Sequence, residues 1–202
     1  MEAIVQAKAQ ALFFSYGLKG VAMDDIAKAA GVSKKTIYQS FEDKNELVKH
    51  VVTQLLTCHR EAINEQKRIS KNAIDEVVQS IQFPFDTLPG ISHNFFYELQ
   101  KFFPAIWLLV EAHKQEVVLP SIEANLKRGI MEGNYREGLD ITFLALLRLH
   151  HMETALITKS FSAQKISAYQ LLMQLSEYYL HAITSAKGKK LINIYLNVNN
   201  EK

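Results

Sequence analysis

The chain has 202 residues, of which 48% are apolar and 22% charged, with a net charge of +2. Its length allows one large or two small domains with a substantial core, and the near-balance of charge excludes a generally basic coat, so any polyanion-binding surface must be local. The single cysteine, Cys58, excludes an intrachain disulfide and a cysteine-cluster zinc site.

No apolar run reaches the ~20 residues needed to span a bilayer. The N-terminus also lacks a signal-peptide pattern, so the expectation is a cytoplasmic protein without a membrane partner. Proline and glycine are scarce, and alternating β-branched residues are rare before the tail, so the expected fold is all-α.

A first helix is expected over 2–16, with Val5, Ala9, Leu12, Phe13 and Tyr16 on one stripe. Gly17 and Gly20 bracket a turn before a short helix at 23–30, whose Asp24 and Asp25 suit the positive end of the helix dipole. Ala22, at the N-cap, costs about 1 kcal/mol against Ser or Thr. Gly31 falls at C′, where only glycine takes the left-handed conformation without strain. Ser33 caps a third helix, and Asp43 with Glu46 makes a capping box for a fourth, over about 43–68.

Further along, Pro84, Pro89 and Gly90 are expected to break the chain, Pro104 to open a helix, and Pro120 to kink or divide it. Two long helices follow over about 140–159 and 163–186, Gly188 ends the pattern, and the tail carries no clear period. The expected domains are 1–46, a three-helix domain with a helix-turn-helix; 47–187, a larger helical domain; and 188–202, a tail without an assigned structure.

Two short helices joined by a glycine turn have helix-turn-helix geometry. At 100° per residue, Ile37 and Phe41 share the inner face of the third helix. The outward set is Lys35, Thr36, Tyr38, Gln39 and Ser40, all able to bond to phosphates or base edges and none acidic. Lys34 and Lys35 stand at the helix N-terminus, where cations are unfavourable unless an anion joins them. Lys44 is placed to reach a backbone phosphate. Residues 1–50 hold seven lysines against six acids, so the pattern of the face rather than net charge carries this reading.

The segment "GVAMDDIAKAAGVSKKTIYQSFEDKNELVKHVV", with "ALFFSYG" before it, resembles the DNA-binding domain of TetR-family transcriptional regulators over about residues 4–52. The resemblance implies that Lys34, Lys35, Thr36, Tyr38, Gln39 and Ser40 face double-stranded DNA at a palindromic operator, with Lys44 on phosphate. Ala22 and Met23 depart from the family's usual threonine, and Lys35 from its usual small residue.

Later in the chain "EGNYREGLD" is similar to a link that precedes the family's last two helices. That implies a homodimer paired through those helices, with Leu144, Leu149, Met152, Leu172, Leu175 and Tyr179 as interface residues. It also implies a ligand cavity for a small apolar or aromatic effector, lined by Phe83, Phe95, Phe96, Phe103 and Trp107, with Cys58, His59 and His113 as polar contacts. The expected function is a ligand-released repressor with no cofactor and no metal.

An enzyme is not expected: the di-iron ExxH pair, HExxH, the P-loop and GxGxxG are all absent. The alternatives are an architectural DNA-binding protein without a ligand, or a helical binding module or enzyme with a vestigial helix-turn-helix.

Overall fold

The computed structural model describes residues 1–87, 93–157 and 166–199, without the side chains of 82–87, 93, 156–157, 168 and 196–199. Among the described residues the chain is helical with no strand, and it packs as two compact units. One comprises Met1–His59 with Leu88–Ala112, the other Arg60–Thr87 with His113–Lys202. The fourth helix runs through residue 46, where the sequence pattern placed a boundary, and residues 93–112 belong to the same unit as the N-terminal helices.

The first unit holds α1 (Glu2–Tyr16), α2 (Met23–Ala30), α3 (Lys34–Tyr38), the start of α4 (Lys44–Ile69), α6 (His93–Phe102) and most of α7 (Pro104–His113). Its core is Val5, Ala9, Phe13 and Phe14 of α1, Leu18, Ile26, Ile37 and Phe41, and Leu47, Val48 and Val51 of α4. The i, i+4 spacing of these residues explains why each short helix buries one face only. Phe95 of α6 closes this core edge-on against Phe14, with ring centres 5.0 Å apart.

The second unit is built from the end of α4, α5 (Ala73–Thr87), a π-helical turn (Lys114–Val118), α8 (Leu119–Met131), α9 (Ile141–Ile157), α10 (Ala168–Ile183) and α11 (Ala186–Asn199). Pro84 lies within α5 instead of breaking the chain, whereas Pro89 and Gly90 lie outside the described residues. Pro120 follows the π-turn: its ring nitrogen cannot donate to the carbonyl four residues back, and the wider turn takes up that missing bond. Gly188 does not end the helical pattern, since it sits inside α11, and the tail is helical because Ile192 and Tyr195 pack against the core.

The link after α8 has a specific reason for its sequence. Tyr135 is 1% exposed, and its hydroxyl lies 3.1 Å from the Ala73 carbonyl and 3.0 Å from Asn125 Oδ1. The ring crosses Gly129 so closely that a Cβ there would stand 2.0 Å from Tyr135 Cδ2. Beside it, Arg128 donates to Glu76 Oε2 (2.8 Å), Glu132 Oε1 (2.7 Å), and Ser70 Oγ (2.8 Å) and O (3.0 Å). This guanidinium is therefore fully compensated by two carboxylates.

Candidate nucleic-acid interface

The turn between α2 and α3 is fixed by backbone chemistry. Gly31 takes φ 67°, ψ 30°, its N–H donates to the Lys28 carbonyl, and the Val32 N–H reaches Ala27 O at 3.0 Å. These paired bonds close the end of α2 and require the left-handed residue that glycine supplies. Ser33 then caps α3, its Oγ accepting from Thr36 N at 3.1 Å. Ile37 and Phe41 are fully buried, and Phe41 meets the His50 ring edge-on at 5.4 Å. The helix proper ends at Tyr38; Gln39 keeps a helical conformation as its C-cap, and Ser40 lies in the following turn.

Lys34, Lys35, Tyr38, Gln39 and Ser40 are exposed, as the helical spacing requires. Thr36 is half-buried, and its hydroxyl is engaged with Ser33 Oγ at 2.8 Å. Lys34 is paired with Asp24 of α2, at 2.9 Å. That partner raises the lysine's pKa through its hydrogen bond and charge, and both side chains are more than half exposed. Such a pair contributes little to stability and exchanges readily for phosphate.

Lys44, expected on a backbone phosphate, directs its ammonium to the protein's own backbone. Its Nζ donates to the Leu18 and Val21 carbonyls, both at 2.5 Å, and it sits over the Phe13 ring. Burial pulls its pKa down, while the charges of Glu98 and Asp25 pull it up. Lys44 thus pins the turn between α1 and α2. The same turn is held by Glu98 of α6, whose Oε2 accepts from Lys19 N at 2.7 Å. Spacing could not have revealed Glu98, which is 79 residues from its partner. Asp25 likewise offsets the weak Ala22 cap by accepting the Ala22 N–H at 2.8 Å.

Residues 6–51 match a family model described as "Bacterial regulatory proteins, tetR family". They form a TetR-family DNA-binding domain. The TetR-type architecture extends beyond the match: a TetR-family transcriptional regulator from Agrobacterium tumefaciens superposes with a TM-score of 0.75 at 18% identity, covering 91% of this chain and 97% of that one. The reduced form of NemR from E. coli gives 0.75 at 15% identity, covering 92% and 98%. FadR from Bacillus subtilis, in complex with stearoyl-CoA, gives 0.67 at 19% identity, covering 89% and 98%. Among curated proteins none matches the chain. No helix among the described residues is long and apolar enough to cross a membrane.

The residues expected around an effector differ in burial. Phe95 and Trp107 are buried, Phe96, Phe103, Cys58 and His59 half-buried, and the Phe83 side chain lies outside the described residues. Phe95 belongs to the core with Phe14. His113 is buried, and its pKa is lowered by that burial and by the charge of Arg60.

On the two helices expected to pair, Leu149, Leu172 and Tyr179 are buried within the chain. Leu144, Met152 and Leu175 are partly buried against the core. Among the described residues of α9 and α10, the exposed large apolar side chains are Phe143, Leu146 and Tyr178.

Proposed function

We propose that this protein is a homodimeric, ligand-released transcriptional repressor of the cytoplasm that places α3 of each protomer in successive major grooves of a palindromic operator. The observation that carries the reading is the exposed set Lys35, Tyr38, Gln39 and Ser40, which contains no acid and stands on a frame fixed by the Gly31 turn and the Ser33 cap. Gln39 offers a bidentate contact to adenine, the Thr36 methyl an apolar contact to thymine, and Lys34 and Lys35 neutralise phosphate. Two such helices related by a two-fold axis read half-sites about 34–36 Å apart.

Dimerisation is supported by Phe143, Leu146 and Tyr178, three large apolar side chains exposed on α9 and α10. The stearoyl-CoA bound to FadR supports an effector with an apolar part for a fold of this type. A ligand with higher affinity for a conformation that mismatches the operator shifts the population off DNA, and α4, continuous from Lys44 to Ile69, links the two units along the chain. The test is selection of bound fragments from genomic DNA, followed by titration of a selected site with wild type and Gln39→Ala. Relaxed preference at one position of each half-site is expected. Unchanged sequence preference would remove Gln39 from base reading, and equal affinity for random and selected DNA would favour an architectural role.

A further inference from the structure

The two lysines that open α3 stand in different electrostatic settings. Lys35 is exposed and forms no ion pair among the described residues. Lys34, the first residue of the helix, is held by both carboxylate oxygens of Asp24 in α2, with Nζ 2.9 Å from Oδ1 and 3.1 Å from Oδ2. The neighbouring acid, Asp25, is engaged by the Ala22 N–H instead. The Lys34–Asp24 contact spans ten residues of chain, and the left-handed Gly31 turn lies between its ends. The frame that presents α3 thus also sets the distance between these two charges.

Both side chains are exposed, 67% for Asp24 and 51% for Lys34, so the pair is within reach of a duplex. An ammonium beside a carboxylate adds almost no net charge towards a loosely bound polyanion. Exchange of that carboxylate for a phosphate leaves the number of compensated charges unchanged. Non-specific binding depends on cations that gain a phosphate and release counterions, which Lys35 can do and the paired Lys34 cannot. A duplex seated on α3 differs, because base contacts hold it in register. The Lys34 ammonium has three donors and gives at most two to Asp24, which leaves one for a phosphate in that register.

We propose that Asp24 is a specificity-determining residue, which withholds Lys34 from non-specific DNA and yields it to phosphate only at a site that α3 reads. The proposal rests on the reading of α3 as the DNA-contacting helix and divides the work between the two lysines. Lys35 attracts any duplex, and Lys34 contributes once α3 is seated. Asp24 acts through Lys34 and is therefore a positioning residue. Its charge also suits the N-terminal end of α2, and the experiment separates that structural role from this one.

The experiment measures the affinity of the full chain for a random-sequence duplex and for a duplex selected from a random library, each across a range of salt concentrations. An exposed ion pair shifts an equilibrium by about 2- to 5-fold, so Asp24→Asn is expected to bind the random duplex about 4- to 25-fold tighter as a dimer. Its salt slope on that duplex should steepen by about 0.9 per protomer, the signature of one released cation. On the selected duplex the slope should keep its wild-type value, because Lys34 is already on phosphate there. Asp24→Glu, which keeps a carboxylate in reach, should restore wild-type behaviour on both. Lys34→Gln should leave the random-duplex slope unchanged and reduce the selected-duplex slope by about 0.9 per protomer, a result that stands even where Asp24→Asn fails to fold. In the Lys34→Gln background, Asp24→Asn should have no further effect on either slope.

An unchanged random-duplex slope in Asp24→Asn, equal steepening on both duplexes, or a reduced random-duplex slope in Lys34→Gln overturns the proposal. So does an effect of Asp24→Asn that persists without Lys34, which assigns the carboxylate to the end of α2 alone. Each of these results leaves DNA reading by α3 in place as long as wild type enriches a sequence. Failure of wild type to enrich any sequence overturns that reading itself.

Discussion

Replacing Lys44 by methionine separates two roles that sequence alone merges. The ammonium donates two hydrogen bonds to the Leu18 and Val21 carbonyls, across 26 and 23 residues of chain. Hydrogen bonds involving a charged group contribute about 1.5–3 kcal/mol each, and the half-exposed setting of Lys44 places it at the lower end. Two bonds therefore amount to roughly 3 kcal/mol, while methionine retains most of the stem that covers Phe13. For a chain of this size the loss corresponds to a fall of roughly 6–12 °C in Tm.

The protein's single tryptophan, Trp107, belongs to the same unit, so its fluorescence reports the melting of that unit directly. At a temperature where both proteins are folded, the slope of DNA affinity against salt should be unchanged, because no phosphate contact has been removed. Unchanged stability with a slope smaller by about 0.9 per protomer would refute the pin and restore a phosphate contact.

Gly129→Ala forces a Cβ to within 2.0 Å of the Tyr135 ring, and overpacking with displacement of its hydroxyl contacts should cost about 3 kcal/mol in urea unfolding, despite the better helix propensity of alanine. Tyr135→Phe, which keeps the ring, should cost about 1 kcal/mol by the same measurement. Burial depresses the His151 pKa, so between that value and about 6.5 the unfolded chain binds more protons than the folded one. Stability contributed by neutral His151 is complete above about pH 6.5 and is lost as the pH falls below it; His151→Phe should flatten that part of the denaturation profile. Lys35→Ala should weaken binding to all DNA sequences alike and reduce the salt slope, in contrast to Gln39→Ala.

What was legible in the sequence were the features set by local spacing. The Gly31 turn, the Ser33 cap and the buried pair Ile37 and Phe41 depend on contacts within a few residues, and periodicity finds them. The capping box before α4 was legible in outline: Asp43 accepts the Glu46 N–H at 2.8 Å, but Glu46 reaches back to the N–H of Glu42 rather than Asp43. What was not legible depends on the other side of a contact.

Lys44 and Glu98 are ordinary charged residues until the backbone of the α1–α2 turn folds against each of them. An apolar helical face does not reveal whether it meets its own chain or a second copy; Leu149, Leu172 and Tyr179, expected at an interface, are buried within the chain. Arg148, buried on α9, carried no signal at all, since an isolated arginine in an apolar helix gives no hint of whether a carboxylate awaits it. The tail was obscured by Gly188, a residue type that usually ends a helix.

Sequence-specific binding through α3 is the centre of this account, and selection from a random double-stranded library tests it most directly. Wild type should enrich a two-fold symmetric site with half-sites about one helical turn apart, bound at least 10³-fold tighter than random DNA at physiological salt. Gln39→Ala should blur one position in each half-site while keeping their spacing. Failure of the wild-type chain to enrich any sequence, with fold and oligomeric state intact, would contradict it.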